Sequence, residues 1–405
     1  MQTVVLAAGD GEGLEPVSSS VPKSLLPVGG VPLLERVLRR AAAAGASDFV
    51  VVVPPYCQPF GRTLGDAVDG VPVSYAVQPR PTGTANAVVR ARRHLDGDFV
   101  VLPGDALFDV AALESLYDGV PTVCVRATDE RRAEPVAVGD GGPIDAAGLE
   151  AEPASSYDDA GACSLPAEAA EWTRLPANDD GERDLAAVVD RTAAAYDVRP
   201  VVVEDHVDVD APADLLRANR RAFDDWAGDR AGVVVDGHVE EMTRLHAPVR
   251  VADGASVANG AVVEGPSIVD AGAVVDPNAY VGPYSYVGPG VTVGHSTRLS
   301  DAVLLEGARV GPNCALEDSV VGPEADVGAG TTVANREHHP IGSGRGPGST
   351  SGEGDHSVRG AEHSFGVVVG GNATIDGHLH LGTGVLVPRY ATVDDDSTLQ
   401  REDAT

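Results

Sequence analysis

The chain has 405 residues, of which 43% are hydrophobic, and its formal net charge is −32 at pH 7. Its length exceeds one ordinary domain, and the pattern described below favours two. The acidic residues are spread along the chain, which excludes nucleic acids and anionic membranes as expected partners because both would be repelled. The hydrophobic fraction excludes a wholly disordered, acidic chain.

Short β-branched runs alternate with Ala- and Leu-rich stretches over residues 1–225. This alternation is typical of βα units that build a mostly parallel sheet. The pattern predicts strands at 4–6, 49–53, 73–77 and 99–102, and helices at 32–44, ending at Gly45, and at 85–94. Such sheets bind ligands beyond the carboxyl ends of their strands, so the loops after these strands form the predicted binding edge.

Lys23 is the only lysine of the chain, and it follows a glycine-rich segment, Leu-Ala-Ala-Gly-Asp-Gly-Glu-Gly-Leu, at residues 6–14. Arginine supplies the cationic side chains everywhere else. A compact ammonium and a planar guanidinium are not interchangeable at a phosphate. The pattern predicts a phosphate-binding loop in which Lys23 is the cation, and the alternative is an ordinary solvated lysine.

A period of six replaces this pattern from about residue 249, after a predicted linker at 226–248. One aliphatic residue recurs in each hexad, and this period predicts a triangular coil of parallel strands with the aliphatic residue inside. The series runs through Val251, Val257, Val263, Val269, Val275, Val281, Val287, Val293, Leu299 and Leu305, then Val310, Leu316, Val321, Val327 and Val333, and finally Val369, Ile375, Leu381, Val387, Val393 and Leu399.

Residues 335–364 interrupt the coil with Gly, Ser, His and Arg. A coil that ejects about 30 polar residues has formed a loop, and long loops in compact folds are often functional. The low complexity of residues 343–354 leaves a disordered insertion as the alternative.

The remaining composition indicates a cytoplasmic protein. Four cysteines lack metal-ligand spacing and are interpreted as reduced, buried residues: Cys57, Cys124, Cys163 and Cys314. No basic leader is present, and no apolar run approaches the ~20 residues that span a bilayer. Abundant acidic residues beside one lysine are typical of proteins from salt-loving archaea.

The glycine segment, Pro22-Lys23 and the hexads together resemble the sugar-1-phosphate nucleotidylyltransferases with a C-terminal left-handed β-helix, in particular archaeal bifunctional enzymes that also N-acetylate sugars. The resemblance implies an α/β, Rossmann-like nucleotidyltransferase domain at 1–225 and a left-handed β-helix at 249–405. It implies UTP or dTTP and a glucose or N-acetylglucosamine 1-phosphate as substrates. Assembly through the β-helix into a trimer or a multiple of it is also expected.

The resemblance also implies roles for individual residues. It gives Lys23 the nucleotide phosphates, and Asp105 and Asp208 a catalytic Mg²⁺. It gives the sugar to Glu182 and Gly161. The residues that it assigns to the nucleotide are Leu6, Ala7, Ala8, Gly9, Gly11, Gln78, Gly83 and Thr84.

Both sites depart from the family pattern. Glu12 and Gly13 stand where the family has Thr and Arg, and the missing arginine would stabilise the pyrophosphate leaving group. The family's sugar-phosphate lysine is absent at 151–153. The candidates to replace it are Arg126, Arg131 and Arg132.

The acetyltransferase pattern is further eroded. Asn335 matches it, but Pro312 and Ala315 replace the His and Tyr of the family, so acetyl-CoA is expected only if this activity survives. The candidates for a displaced base are His295, His338, His363 and His380. These losses leave a competing hypothesis, a catalytically inactive paralogue that binds nucleotide or sugar nucleotide and regulates an active partner subunit.

Overall fold

The protein is described from a computed structural model, which covers residues 1–80, 82–127, 157–172, 183–229, 232–333 and 365–394. The chain divides into two compact units. The first comprises Met1–Gly11, Pro22–Leu26 and Val31–Val209, and the second comprises Glu12–Val21, Pro27–Gly30 and Asp210–Thr405. The N-terminal segment that contains the glycines is therefore divided between the two units.

The first unit is built on a mixed sheet of eight described strands. In chain order these are β1 (Gln2–Leu6), β2 (Asp48–Val53), β3 (Ala67–Val68), β4 (Val71–Val77), β5 (Phe99–Pro103), β6 (Thr122–Ala127), β7 (Tyr157–Leu165) and β8 (Arg199–Val202). They lie in the order β8-β6-β7-β5-β1-β2-β4-β3. Strand β1 pairs in parallel with β2 and β5, whereas β7 runs antiparallel to β5 and β6. The four predicted strands are confirmed to within two residues at their ends, and β3, β6, β7 and β8 were not predicted.

The central strands are apolar at consecutive positions because both faces of the sheet are covered. Val4 and Val5 in β1, and Val50 and Val51 in β2, are at most 1% exposed. The helices of this unit are α1 (Leu33–Ala44), α2 (Gln58–Leu64), α3 (Thr84–Ala91), α4 (Val110–Glu114) and α5 (Leu185–Ala193). Helix α1 ends where predicted, because Gly45 adopts a φ of 116° and its N–H caps the last turn.

The second unit contains α6 (Pro212–Asp229) and a left-handed parallel β-helix of three sheets. Face 1 has eight described strands: Val233–Val235, Val249–Val251, Ser267–Val269, Ser285–Val287, Val303–Leu304, Val320–Val321, Val367–Val369 and Val385–Val387. Face 2 has eight: His238–Val239, Ser256–Val257, Val274–Val275, Thr292–Val293, Arg309–Val310, Asp326–Val327, Thr374–Ile375 and Thr392–Val393. Face 3 has seven: Arg244–His246, Val262–Glu264, Tyr280–Val281, Arg298–Ser300, Ala315–Glu317, Thr332–Val333 and His380–Leu381.

The hexad aliphatics form the interior of this coil, with one exception. Leu304, and not the predicted Leu305, pairs with Val287 and joins the internal cluster. The coil is therefore shortened by one residue before Leu304 and not after Leu305. Two adjacent leucines made the position of this slip ambiguous in the sequence.

The structure corrects the predicted linker at 226–248. Helix α6 extends to Asp229, and three strands from Val233 to His246 already pair with the following coil. Val239 and Leu245 extend the hexad series backwards and pair with Val257 and Val263, so part of the signal was present. The period breaks before them, because Val235, and not Val233, pairs with Val251.

The coil also continues across the long interruption. Val321 pairs with Val369, and Val333 pairs with Leu381, so each face resumes in register after the loop. The predicted excursion at 335–364 and Leu399 lie outside the described residues.

Face 1 is apolar on its outer side as well as inside. Its outward residues Ile268, Tyr286, Val303, Val320 and Val368 alternate with interior residues, yet each is at most 7% exposed. They are buried because other parts of the second unit lie over this face.

Two contacts identify the cover of face 1. A Cβ at Gly30 would lie 3.1 Å from Ile268 Cδ1 and 3.2 Å from Tyr286 Cε2. From α6, the side-chain amide of Asn219 donates to the Tyr284 carbonyl oxygen at 2.9 Å. Helix α6 and the Pro27–Gly30 segment thus pack on face 1.

An ion-pair cluster fixes α6 beside the same face. Arg220 Nε lies 2.5 Å from Asp301 Oδ2, and Arg220 Nη2 lies 2.5 Å from Asp318 Oδ1. Asp301 Oδ1 is buried without a hydrogen-bond partner among the described residues. Burial raises the pKa of Asp301 to about 6, although the nearby Arg220 guanidinium acts in the opposite direction.

Because face 1 is covered and face 2 is exposed, a valine-to-threonine substitution on the outer side of each face should change the free energy of unfolding by different amounts. Val303→Thr on face 1 should lower the free energy of unfolding by about 1–3 kcal/mol, because the hydroxyl loses its water. Val274→Thr on face 2, where Val274 is 37% exposed, should change it by less than about 0.5 kcal/mol. Urea denaturation of the two variants measures both values, and equal losses would contradict the covered face.

The raised pKa of Asp301 predicts that ionisation of its carboxyl lowers the free energy of unfolding as pH rises. A carboxyl with a folded pKa of about 6 and an ordinary value of 3.8 favours folding below about pH 4, and this contribution is lost as pH rises through 6. Relative to Asp301→Asn, the wild type should lose about 3 kcal/mol of unfolding free energy across that range. Denaturation at stepped pH measures the difference, and Asp326→Asn, which removes an exposed carboxylate, should lack it.

Candidate active site

A cleft of about 530 Å³ lies at the carboxyl ends of the central strands in the first unit. Most residues that were predicted to bind nucleotide line it, namely Leu6, Ala8, Gly9, Gln78, Gly83 and Thr84. Ala7 and Gly11 do not. Ala7 is 6% exposed, and its N–H donates to the Val52 carbonyl oxygen at 2.8 Å, which turns its side chain away from the cleft.

The Gln78 side chain is held in place at one wall. It is 5% exposed, and its Nε2 donates to the Gly83 carbonyl oxygen at 3.1 Å. Gly83 adopts a φ of 93°, and a Cβ at this position would overlap the backbone of Arg183. Thr84 Oγ1 then accepts the N–H of Leu185 at 2.7 Å, so the beginnings of α3 and α5 are tied together at the cleft.

The end of β5 places a carboxylate at the opposite wall. The N–H of Gly104 donates to the Leu6 carbonyl oxygen at 2.8 Å, and a Cβ at Gly104 would lie 2.8 Å from that oxygen. Only glycine permits this approach, which directs the next residue, Asp105, into the cleft. Asp208 comes alongside because it pairs in antiparallel register with Ala106.

Lys23 lies at the same point. Its Nζ is 2.8 Å from Asp105 Oδ2, and the two side chains are 12% and 26% exposed. The structure therefore brings together Lys23, Asp105 and Asp208, which are far apart in the chain.

The two carboxylates fit a small divalent cation. Oxygen atoms of Asp105 and Asp208 lie within 4.8 Å of each other. Mg²⁺ is commonly bound through one or two carboxylates, with water and substrate phosphates completing its octahedron. The donor set is therefore suited to Mg²⁺ bound together with a nucleotide.

The cleft is acidic, which the sequence did not predict. Its charged lining residues are Asp10, Asp105, Asp159 and Asp184. Asp159 begins a bulge in β7, and its Oδ1 accepts the N–H of Gly161 at 2.8 Å. Gly161, predicted to contact the sugar, has a φ of 77° and lines the cleft. Glu182 lies outside the described residues.

The structure does not support Arg126 as the missing cation of the sugar site. Arg126 stands opposite Asp158 in the β6–β7 pair, and its Nη2 is 3.7 Å from Asp158 Oδ2. Side chains alternate along a strand, so Arg126 and Asp158 lie on the face opposite to Asp159, which lines the cleft. Arg131 and Arg132 lie outside the described residues.

The departure at Gly13 has a structural cause. In the second unit, a Cβ at Gly13 would overlap the backbone carbonyl oxygen of Asp210. No side chain fits at this position with the backbone as it stands. An arginine would therefore require the loop to move.

The β-helix presents no complete acetyltransferase constellation among its described residues. Pro312 and Ala315 occupy the expected catalytic positions and carry no base. His295 is exposed, whereas His380 Nδ1 lies 2.9 Å from Thr332 Oγ1. Asn335, His338 and His363 lie outside the described residues.

Three of the four cysteines are buried. Burial, assisted by the charge of Asp159, raises the pKa of Cys124 to about 12 and that of Cys163 well above its usual range. Cys314 is also buried, but Cys57 is partly exposed, which corrects its predicted burial. No helix in the described ranges is both long and apolar enough to cross a membrane.

Two family models match the chain. Residues 2–120 match the nucleotidyl transferase family, and residues 263–395 match the GMPPB C-terminal domain. The first match contains the glycine segment, Lys23, Gln78 and Asp105. The second covers most of the β-helix.

Three relatives illustrate the similarity: one aligns over most of the chain, and two align over about a quarter of it. The bifunctional protein GlmU of Methanocaldococcus jannaschii is 27% identical over 341 residues, which cover 83% of this chain and 81% of that protein. The UTP–glucose-1-phosphate uridylyltransferase AglF of Haloferax volcanii is 37% identical over 109 residues, 27% of this chain and 45% of that protein. The glucose-1-phosphate thymidylyltransferase of Mycolicibacterium smegmatis is 40% identical over 111 residues, 27% of this chain and 38% of that protein.

The chain thus spans less than half the length of the latter two relatives and most of the length of GlmU. The family matches contain part of the cleft lining and most of the coil described above. By fold and by these similarities, the chain resembles the sugar-1-phosphate nucleotidyltransferases that carry a C-terminal left-handed β-helix.

Proposed function

We propose that this protein transfers a nucleotidyl group from UTP or dTTP to a sugar 1-phosphate of the glucose or N-acetylglucosamine class. The observation that carries the proposal is the meeting of Lys23, Asp105 and Asp208 beside the cleft. Relatives named for uridylyl and thymidylyl transfer to glucose 1-phosphate support the substrate class.

In this reaction an oxygen of the sugar phosphate attacks the α-phosphorus of the nucleotide, and pyrophosphate leaves. The protein forms no covalent bond to the substrates in this reaction, so the rate enhancement comes from positioning the reactants and neutralising their charge. Gln78 and the backbone near Gly83 offer hydrogen-bonding groups to the base. The Lys23 ammonium, which is paired with Asp105, can exchange this partner for a phosphate oxygen of the bound nucleotide.

Asp105 and Asp208 would hold Mg²⁺, which when bound neutralises phosphate charge. The carboxylates that line the cleft make such a cation necessary, because they would otherwise repel the triphosphate. The dependence on a divalent cation should accordingly be strict.

The second candidate is the inactive regulatory paralogue that binds nucleotide. The lack of space at Gly13 favours this candidate, because the Asp210 carbonyl oxygen occupies the position that the side chain of the family's arginine would need. The retained Lys23 and paired carboxylates favour catalysis instead, because a binding protein does not need the full set.

Replacement of Lys23 should separate the two functions. Lys23→Ala should reduce kcat/KM for pyrophosphate release by about 10²–10³-fold, because a cation at the transferring phosphate is lost. Lys23→Arg should recover only part of this loss, since a guanidinium has a different shape. The assay uses Mg²⁺, UTP or dTTP and a panel of sugar 1-phosphates at high salt.

Arg62→Ala on α2 is the matched control, because Arg62 is exposed and outside the cleft. Full turnover by Lys23→Ala would contradict the proposed role. Nucleotide binding by the wild type without any turnover would favour the regulatory function instead.

Restoring the family arginine should not restore a standard loop. Gly13→Arg should leave pyrophosphate release unimproved and lower the free energy of unfolding by about 1–3 kcal/mol, because its Cβ overlaps the Asp210 carbonyl. Gly97→Arg is the control, since nothing lies within 4 Å of a Cβ there. A gain in turnover without loss of stability would show that the missing arginine is a simple loss of function.

A further inference from the structure

The segment Glu12–Val21 lies between two phosphate-binding elements along the chain but belongs to the second unit. The residues before it are the glycine segment, which ends at Gly11. The residues after it are Pro22 and Lys23. Contacts that fix Glu12–Val21 therefore also restrain Gly11 and Pro22, which are covalently joined to its two ends.

The segment is folded into consecutive tight turns. The N–H of Val17 donates to the Leu14 carbonyl oxygen at 3.0 Å, and the N–H of Ser20 donates to that of Val17 at 2.9 Å. Leu14 and Val17 are each 1% exposed. It is a packed insert and not an open loop.

The last coils of the β-helix provide its seat. A Cβ at Gly370 would lie 2.6 Å from Arg389 N in the next coil and 2.9 Å from Pro16 Cβ, and one at Gly371 would overlap Ser20 Oγ. Arg389 Nη1 donates to the Ser19 carbonyl oxygen at 2.9 Å. The seat thus depends on two glycines without side chains and on one arginine.

All three seat residues follow the long interruption of the coil. The coils before residue 334 already build most of the β-helix interior. Gly370, Gly371 and Arg389 are added only when the coil resumes at Val367. The resumed coils thus supply these contacts to the Glu12–Val21 segment.

We propose that the coils after the interruption act as a positioning device for nucleotide binding, in which Arg389, Gly370 and Gly371 hold Glu12–Val21. The glycine segment and Lys23 then extend from an ordered insert, so less conformational entropy is lost when phosphates bind. Arg389 is a positioning residue, because it acts through Ser19 and touches no substrate. The inference rests on the proposed function, since it assumes that a nucleotide is the ligand.

The test compares Arg389→Ala with Arg309→Ala in the full-length protein. Arg309 is exposed on face 2 and supplies a matched loss of charge. Loss of the hydrogen bond to Ser19 should raise the KM and the Kd for UTP or dTTP about 5-fold, with the KM for the sugar 1-phosphate unchanged. Arg389→Lys, which can still donate to the carbonyl, should recover most of this loss.

A second pair of variants tests the seat without changing charge. Gly371→Ala should also weaken nucleotide binding, because its methyl group meets Ser20. Adding Ser20→Gly removes the nearest obstacle and should restore most of the affinity, although the Pro323 carbonyl oxygen stays 3.2 Å from the new Cβ. A general destabilisation of the coil would not be rescued in this way.

The outcomes separate the inference from the function. Wild-type nucleotide affinity in Arg389→Ala and Gly371→Ala would overturn the inference while leaving the transferase intact. Equal rises in both KM values together with a lower Tm would also overturn it, by showing a global effect. Failure of the wild type to bind or turn over nucleotide would overturn both proposals, whereas a selective and rescued loss of nucleotide affinity would support them.

Discussion

The apolar outer side of face 1 is the constraint on which the second unit depends. A coil whose residues point outward as Val303, Val320 and Val368 cannot leave that face in water. Helix α6 and Pro27–Gly30 bury its central part, and the turns of Glu12–Val21 seat on the last coils. The β-helix is consequently a platform for the N-terminal segments that flank Lys23, in addition to any role in assembly.

The active-site arrangement follows from close backbone approaches. Gly104 lies against the Leu6 carbonyl, so the loop after β5 closes on the end of β1, and Gly83 lies against Arg183, so the loop after β4 closes on the segment before α5. This geometry brings the single lysine of an acidic chain into contact with Asp105. In a cleft lined by four aspartates, one ammonium is too little charge for the proposed triphosphate, and a divalent cation would have to supply the remainder.

The sequence predicted the regular parts well and the irregular parts poorly. The hexads located the main aliphatic series of the interior, because a period of six has no other common structural source. They did not include the second interior series, which contains Ala255, Ala273 and Val291. They failed at Leu304, where two leucines are adjacent, and at Val233–His246, where an end coil carries a weaker pattern. Strand β7 was missed because an antiparallel strand inserted into a βα series leaves no periodic signal.

The sequence by itself indicated the two architectures and singled out the lysine and the two carboxylates as candidates, because periodicity and short motifs are local properties. Only the tertiary structure decided that Arg126 faces Asp158, that Asp159 lines the cleft, and that Gly13 has no room for a side chain. It also decided that Glu12–Val21 rests on Gly370, Gly371 and Arg389. These relations join residues distant in the chain, and packing alone brings them within a few ångströms of each other.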